Sequence, residues 1–124
     1  PDGRALKLCE ENTAGMARFD LFAADVAVAL LGHSYPVIFA DDSGWNAEGA
    51  IATKGARSLY VNVAAFGGVG AFDDFAQERL IEFLIHEYAH EIEANHLSDR
   101  YHDALCKFGA KVVRLAVEQP EVFR

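Results

Sequence analysis

The stretch that decides the fold runs Gln77-Glu78-Arg79-Leu80-Ile81-Glu82-Phe83-Leu84-Ile85-His86-Glu87-Tyr88-Ala89-His90-Glu91-Ile92-Glu93-Ala94-Asn95-His96. It is rich in good helix formers and contains neither glycine nor proline. Asp73 or Asp74 is a suitable N-cap, and the pattern predicts a helix continuing to about residue 94. Ile81, Ile85, Tyr88 and Ile92 recur at helical spacing and are expected to face the core. His86 and His90 stand four apart, so both imidazoles lie one turn apart on a single face.

Working outward, Ser98 or Asp99 can cap a second helix that reaches about Glu118 and stops before Pro120. Tyr101, Leu105, Phe108, Val112 and Leu115 form its apolar stripe. Upstream, 58–64 is the strongest β-prone run, 35–40 a shorter one, and 50–53 a weaker one that ends at the Lys54-Gly55 turn. Gly67-Gly68-Val69-Gly70 breaks regular structure. It has neither the Walker spacing nor the dinucleotide fingerprint, and reads as a connection. Near the start, Met16, Phe19, Phe22 or Ala23, Val26 and Leu30 give an amphipathic helix over 13–31, followed by Gly32 at its C-terminal end. The expected order is an N-terminal helix, a small two- or three-stranded sheet, an active-site helix and a C-terminal helix. This is one α+β domain spanning 1–124. Because it begins at Pro1, it is expected to be a piece of a longer protein.

The 124 residues carry a net charge of −8, with Lys and Arg scattered. Such a surface repels a phosphate backbone, so nucleic acid is not an expected partner. No apolar run approaches the roughly 18–20 residues of a membrane helix, so no membrane is expected either. Cys9 and Cys106 form no Cys-x-x-Cys pair and read as two thiols of a cytoplasmic protein.

Four of the five histidines fall between 86 and 102. In His86-Glu87-Tyr88-Ala89-His90 the two imidazoles can reach one Zn2+ ion at about 2.0–2.1 Å. Glu87, beside the first ligand, is placed to take a proton from a metal-activated water rather than to bind the metal. His96 is the favoured third ligand, ten residues after His86. A continuous helix would carry it about 9 Å beyond His90 along the axis, so the helix must end soon after His90. Asn95 is the expected pivot, in the left-handed conformation. The alternative ligands lie on the next helix, where Asp99, His102 and Asp103 share a face.

His86-Glu87-x-x-His90-x5-His96 resembles the ligand pattern of minimal zinc metallopeptidases, including the metzincins and the SprT-like and WLM-like proteins. The longer stretch from His86 through Asn95-His96-Leu97-Ser98-Asp99-Arg100-Tyr101-His102-Asp103-Ala104-Leu105-Cys106 is similar to one group in particular. That group is the C-terminal domain of bacterial proteins whose N-terminal part is a histidine-kinase or Hsp90-type ATPase. Pro36-Val37-Ile38-Phe39, Trp45 and Leu59-Tyr60-Val61-Asn62-Val63 also look similar to it. The resemblance implies a zincin-like fold, a bound zinc and an ATPase domain in the same parent chain. The chain departs from the metzincins, which have glycine where Glu93 stands and continue to a methionine turn, whereas Met16 is the only methionine here. In the WLM-like pattern an aromatic follows the third histidine by four residues, while Tyr101 follows His96 by five.

The expected activity is hydrolysis of peptide bonds in a peptide or protein substrate, with Glu87 as general base and then acid. Tyr101, His102 and Arg100 are candidates to stabilise the transition state. The edge of strand 59–63 is a candidate for pairing with an extended peptide. The rival expectation is a structural or regulatory zinc in an ATPase-coupled protein without peptidase activity.

Overall fold

The computed structural model describes residues 5–52 and 57–124. Its elements are helix α1 (Ala14–Leu31), strands β1 (Val37–Ala40), β2 (Gly49–Ile51) and β3 (Leu59–Asn62), helix α2 (Glu78–Ala89) and helix α3 (Asp99–Glu118). Short 3-10 turns cover Val63–Phe66, Val69–Phe72 and Pro120–Phe123. This is an α+β arrangement with a three-stranded sheet. No helix among the described residues is long and apolar enough to cross a membrane.

The chain divides into two compact units. The first takes Pro1–Leu21 and Tyr35–Phe75. Its sheet has the order β1-β3-β2, with β1 parallel and β2 antiparallel to β3. Because β3 is central, both of its edges are already hydrogen-bonded. The idea that it receives a peptide along its edge is therefore overturned. The predicted strand over 50–53 is observed as Gly49–Ile51, while Thr53, Lys54 and Gly55 lie outside the described residues.

The apolar centre of this unit gathers Phe19, Phe39, Phe66 and Phe72. Phe72 meets the other three edge-on at ring-centroid distances of 5.1, 5.4 and 5.8 Å. Edge-to-face contacts at such distances are favoured by the ring quadrupoles. Gly15 allows the first turn of α1 to lie against Phe72, whose carbonyl oxygen would stand 2.7 Å from an added Cβ. Thr13 Oγ1 caps that turn by accepting from the Met16 amide at 3.1 Å.

Buried Asn62, at the end of β3, organises the 41–48 loop. Its Nδ2 reaches the carbonyl oxygens of Asp42, Trp45 and Ala47 at 3.0, 3.2 and 3.2 Å. Its Oδ1 accepts from the Asp42 amide at 3.0 Å. Asp42 in turn accepts from the backbone amides of Lys7 and Gly44.

The second unit takes Phe22–Ser34 and Ala76–Arg124. Here α1 contributes Phe22, Ala23, Val26 and Leu30, buried as their spacing predicted, together with Ala27, and ends before Gly32, which has φ 82°. The α2 residues that enter the core are Leu80, Phe83, Leu84, Glu87, Tyr88 and Ala89. The expected stripe of Ile81, Ile85, Tyr88 and Ile92 holds only at Tyr88, since Ile81 and Ile85 are half-buried and Ile92 is exposed. Both stripes have helical spacing, and Leu80-Phe83-Leu84 offers the bulkier one to bury. Tyr88 is fully buried and donates its hydroxyl to the Ala23 carbonyl oxygen at 3.1 Å.

The start of α2 also differs from expectation. Asp73 closes the 3-10 turn Val69–Phe72, and Gln77 precedes the first turn of α2 without a side-chain cap. The start of α3 follows the sequence closely, with Ser98 Oγ accepting from the Tyr101 amide at 3.0 Å. Cys9 and Cys106 are both free thiols.

Candidate metal centre

The last turn of α2 carries His86, Glu87, and then His90 at its C-terminal boundary. The helix stops five residues earlier than its composition suggests. Beyond Ala89 the backbone tightens through i to i−3 bonds from His90, Glu91 and Ile92 to Glu87, Tyr88 and Ala89. The reversal that follows is built from side chains. Glu93 Oε1 accepts from the Asn95 amide at 3.1 Å, and Asn95 Oδ1 accepts from the Leu97 amide at 3.0 Å. Asn95 is the pivot, but not in the left-handed conformation expected for it, because no described residue other than glycine has positive φ. Its amide oxygen mimics a backbone turn instead. Glu93 likewise needs no positive φ in this turn.

The reversal returns His96 to the first two histidines. One nitrogen from each of His86, His90 and His96 lies within 4.8 Å of the other two. The Nε2 atoms of His86 and His96 are 3.3 Å apart. Two nitrogens held tetrahedrally at about 2.05 Å from one zinc are about 3.4 Å apart, so the pair fits a shared ion without rearrangement. Among the described residues no Asp, Glu, Cys or further His joins this group. Asp99, His102 and Asp103 are exposed and remain outside it, as does Arg100.

Around the histidines the surroundings are uneven. His86 keeps 47% of its side chain exposed, while Glu87 keeps only 11%. Glu87 Oε1 lies 4.0 Å from His86 Nε2, so the carboxylate borders the face the imidazoles share. Burial, together with the neighbouring His96, holds His90 below the usual histidine range, and a backbone hydrogen bond at Glu93 pulls weakly the other way. Both leading causes favour neutral imidazole, the form that binds a cation.

Tyr101, 2% exposed, lies against all three rings at centroid distances of 5.0–6.0 Å. Its hydroxyl stands 3.1 Å from His86 Nδ1 and donates to the His86 carbonyl oxygen at 3.3 Å. Burial and then the Glu87 carboxylate push its phenol above the usual range, which keeps the proton in place. The sequence marks Tyr101 as a member of the α3 stripe. A buried tyrosine hydroxyl needs a partner, and His86, fifteen residues earlier, supplies it.

Beside His86 a groove of about 370 Å³ opens along α2, lined by Glu78, Ile81, Glu82, Ile85, His86 and Leu105. The sequence placed Ile81 and Ile85 in the core and so hid this feature.

Comparison with protein-family models, with curated proteins and with solved structures returns no match.

Proposed function

We propose that this chain is a zinc-dependent metallopeptidase-type hydrolase of zincin-like fold, acting on peptide bonds in a peptide or protein substrate. We place it in the cytoplasm and in a parent chain that also holds an ATPase domain, as the resemblance of residues 86–106 implies. The observation that carries the reading is the convergence of three imidazoles with a nearly buried carboxylate on their shared face.

His86, His90 and His96 would hold the metal. Zinc bound there supplies a Lewis acid that polarises a scissile carbonyl and makes water more acidic. Glu87 takes the proton of the attacking water and delivers it to the leaving amine. Its burial limits competition from bulk water for that proton. Tyr101 acts as a positioning residue. By donating to the His86 carbonyl oxygen, its hydroxyl keeps a lone pair for the Nδ1–H of His86, which leaves Nε2 unprotonated for the metal.

A structural or regulatory zinc is the second reading. Structural sites are closed by four protein ligands, whereas catalytic sites keep one position open. Three ligands and a half-exposed His86 favour the open kind.

Glu87→Gln tests the assignment. The variant should retain zinc by elemental analysis and lose about 10²–10⁴-fold in hydrolysis of a peptide library. Full activity in the variant would remove Glu87 from the mechanism. A zinc-loaded parent that hydrolyses nothing across the library would transfer the site to the structural reading.

A further inference from the structure

The groove beside His86 has a chemical pattern that the metal centre alone does not require. Ile81 and Ile85 are four apart on α2 and only half-buried, and Leu105 of α3 completes the apolar floor. Glu78 and Glu82 run alongside them, in line with His86 at successive steps of four residues. One step of four advances about 6 Å along a helix, so the carboxylates sit about 6 and 12 Å from the level of His86. Both are exposed, and neither forms an ion pair among the described residues. No Lys or Arg lines the groove.

We propose that this groove binds the substrate chain through a bulky apolar side chain followed or preceded by a lysine or arginine. The inference rests on the metallopeptidase reading and names its substrate class. Ligand pockets begin at about 300 Å³, so a space of about 370 Å³ admits a few residues of extended chain, not a helix about 10 Å across. In an extended chain adjacent side chains leave on opposite sides, so an apolar residue on the floor turns its neighbour away from it, and the long lysine or arginine stem carries the charge to the exposed carboxylates at the rim. The apolar residue is then seated on Ile81, Ile85 and Leu105 while the neighbouring cation meets the carboxylates. An acidic peptide is rejected at the same rim. The first-ligand histidine forms one end of the groove, so a segment held there is delivered to the metal centre.

The test uses the full chain, zinc-loaded, with Glu87→Gln present so that bound peptides are not cut. Fluorescent hexapeptides containing Leu-Arg, Leu-Glu or Ser-Arg are titrated at low ionic strength, where exposed charge pairs are least screened. Leu-Arg should bind at least about tenfold more tightly than Ser-Arg, given the size of apolar burial for one leucine, and at least about threefold more tightly than Leu-Glu, whose charge the carboxylates repel. Glu78→Gln with Glu82→Gln should weaken Leu-Arg about three- to tenfold, as two exposed ion pairs would, and leave an uncharged Ser-Ala control unchanged. Ile85→Ser should weaken it further. Equal binding of all three peptides, or of Leu-Arg by the parent and by the Gln pair, overturns the proposal. So does a dimer, seen by sedimentation, that Ile85→Lys dissociates, because the groove then belongs to a second copy. Cleavage assays with Glu87 restored separate the two claims. Cleavage without apolar-basic preference sinks the groove assignment alone, and selective binding without any cleavage sinks the peptidase reading alone.

Discussion

Two polar clusters in this molecule differ in how their hydrogen bonds are completed. Around Asn62, each polar atom of the buried amide meets a partner supplied by the chain, and the arrangement is closed. Around His86, His90 and His96, three imidazoles face one another, and burial together with His96 holds His90 below the usual histidine range. A saturated cluster fixes backbone conformation. A convergent, half-exposed one brings one nitrogen of each ring within 4.8 Å of the others, the geometry that a single bound cation would use.

The sharpest way to break this comparison is to remove ligands. His90→Ala or His96→Ala should lower zinc affinity by more than about a hundredfold, since outer partners alone are worth about 10–100-fold. Competition with a chromogenic chelator measures this. Asp99→Ala, His102→Ala and Asp103→Ala should bind zinc like the parent, and a large loss in any of them with His96→Ala unaffected would reassign the third ligand.

The complementary change is Asn62→Ala. It strands the buried groups that the amide now satisfies and should cost about 2 kcal/mol in urea unfolding. Zinc affinity measured without denaturant should stay at the parental value. If zinc affinity falls as far as stability does, the two clusters are not separable in this way.

Tyr101→Phe retains the ring and removes the hydroxyl that meets His86. About tenfold weaker zinc binding is expected, with little change in the unfolding of the metal-free protein. A parental affinity in this variant would show that packing alone orients His86.

The smallest effect expected is on pH dependence. His90 binds its proton less readily in the folded chain than in the unfolded one, where its pKa is about 6.5. Stability therefore falls as pH drops below about 6.5, until the folded value is passed, and is constant in this respect above it. Melting curves of metal-free parent and His90→Gln at pH 7.0 and 5.5 should show the parent losing slightly more. Zinc uptake falls over the same range because protons compete for the ligands.

Much of this was legible in the sequence, for identifiable reasons. The α1 stripe has one bulky face and a threonine and a glycine at its ends, so both its limits and its buried residues could be read. His86 and His90 follow from helix geometry alone. The end of α2 could not be read locally, because Glu91, Ile92, Glu93 and Ala94 offer no breaker, and the reversal depends on the Glu93 carboxylate and the Asn95 amide finding particular backbone donors. Ile81 and Ile85 were misplaced because two apolar stripes of equal period compete on α2. Only packing against α1 and α3 chooses between them.

The reversal at Asn95 also bears on the order in which the molecule is assembled. His96 is ten residues from His86, whereas Asn62 is twenty from Asp42 and must wait for β3 to pair with its neighbours. Closing a loop of about ten residues takes on the order of 10–100 ns and little entropy. The three imidazoles can thus meet on a nascent helix before either core is packed. A metal ion arriving early would act as a staple between the end of α2 and the reversal that leads into α3, and refolding with zinc present should form that segment ahead of the sheet.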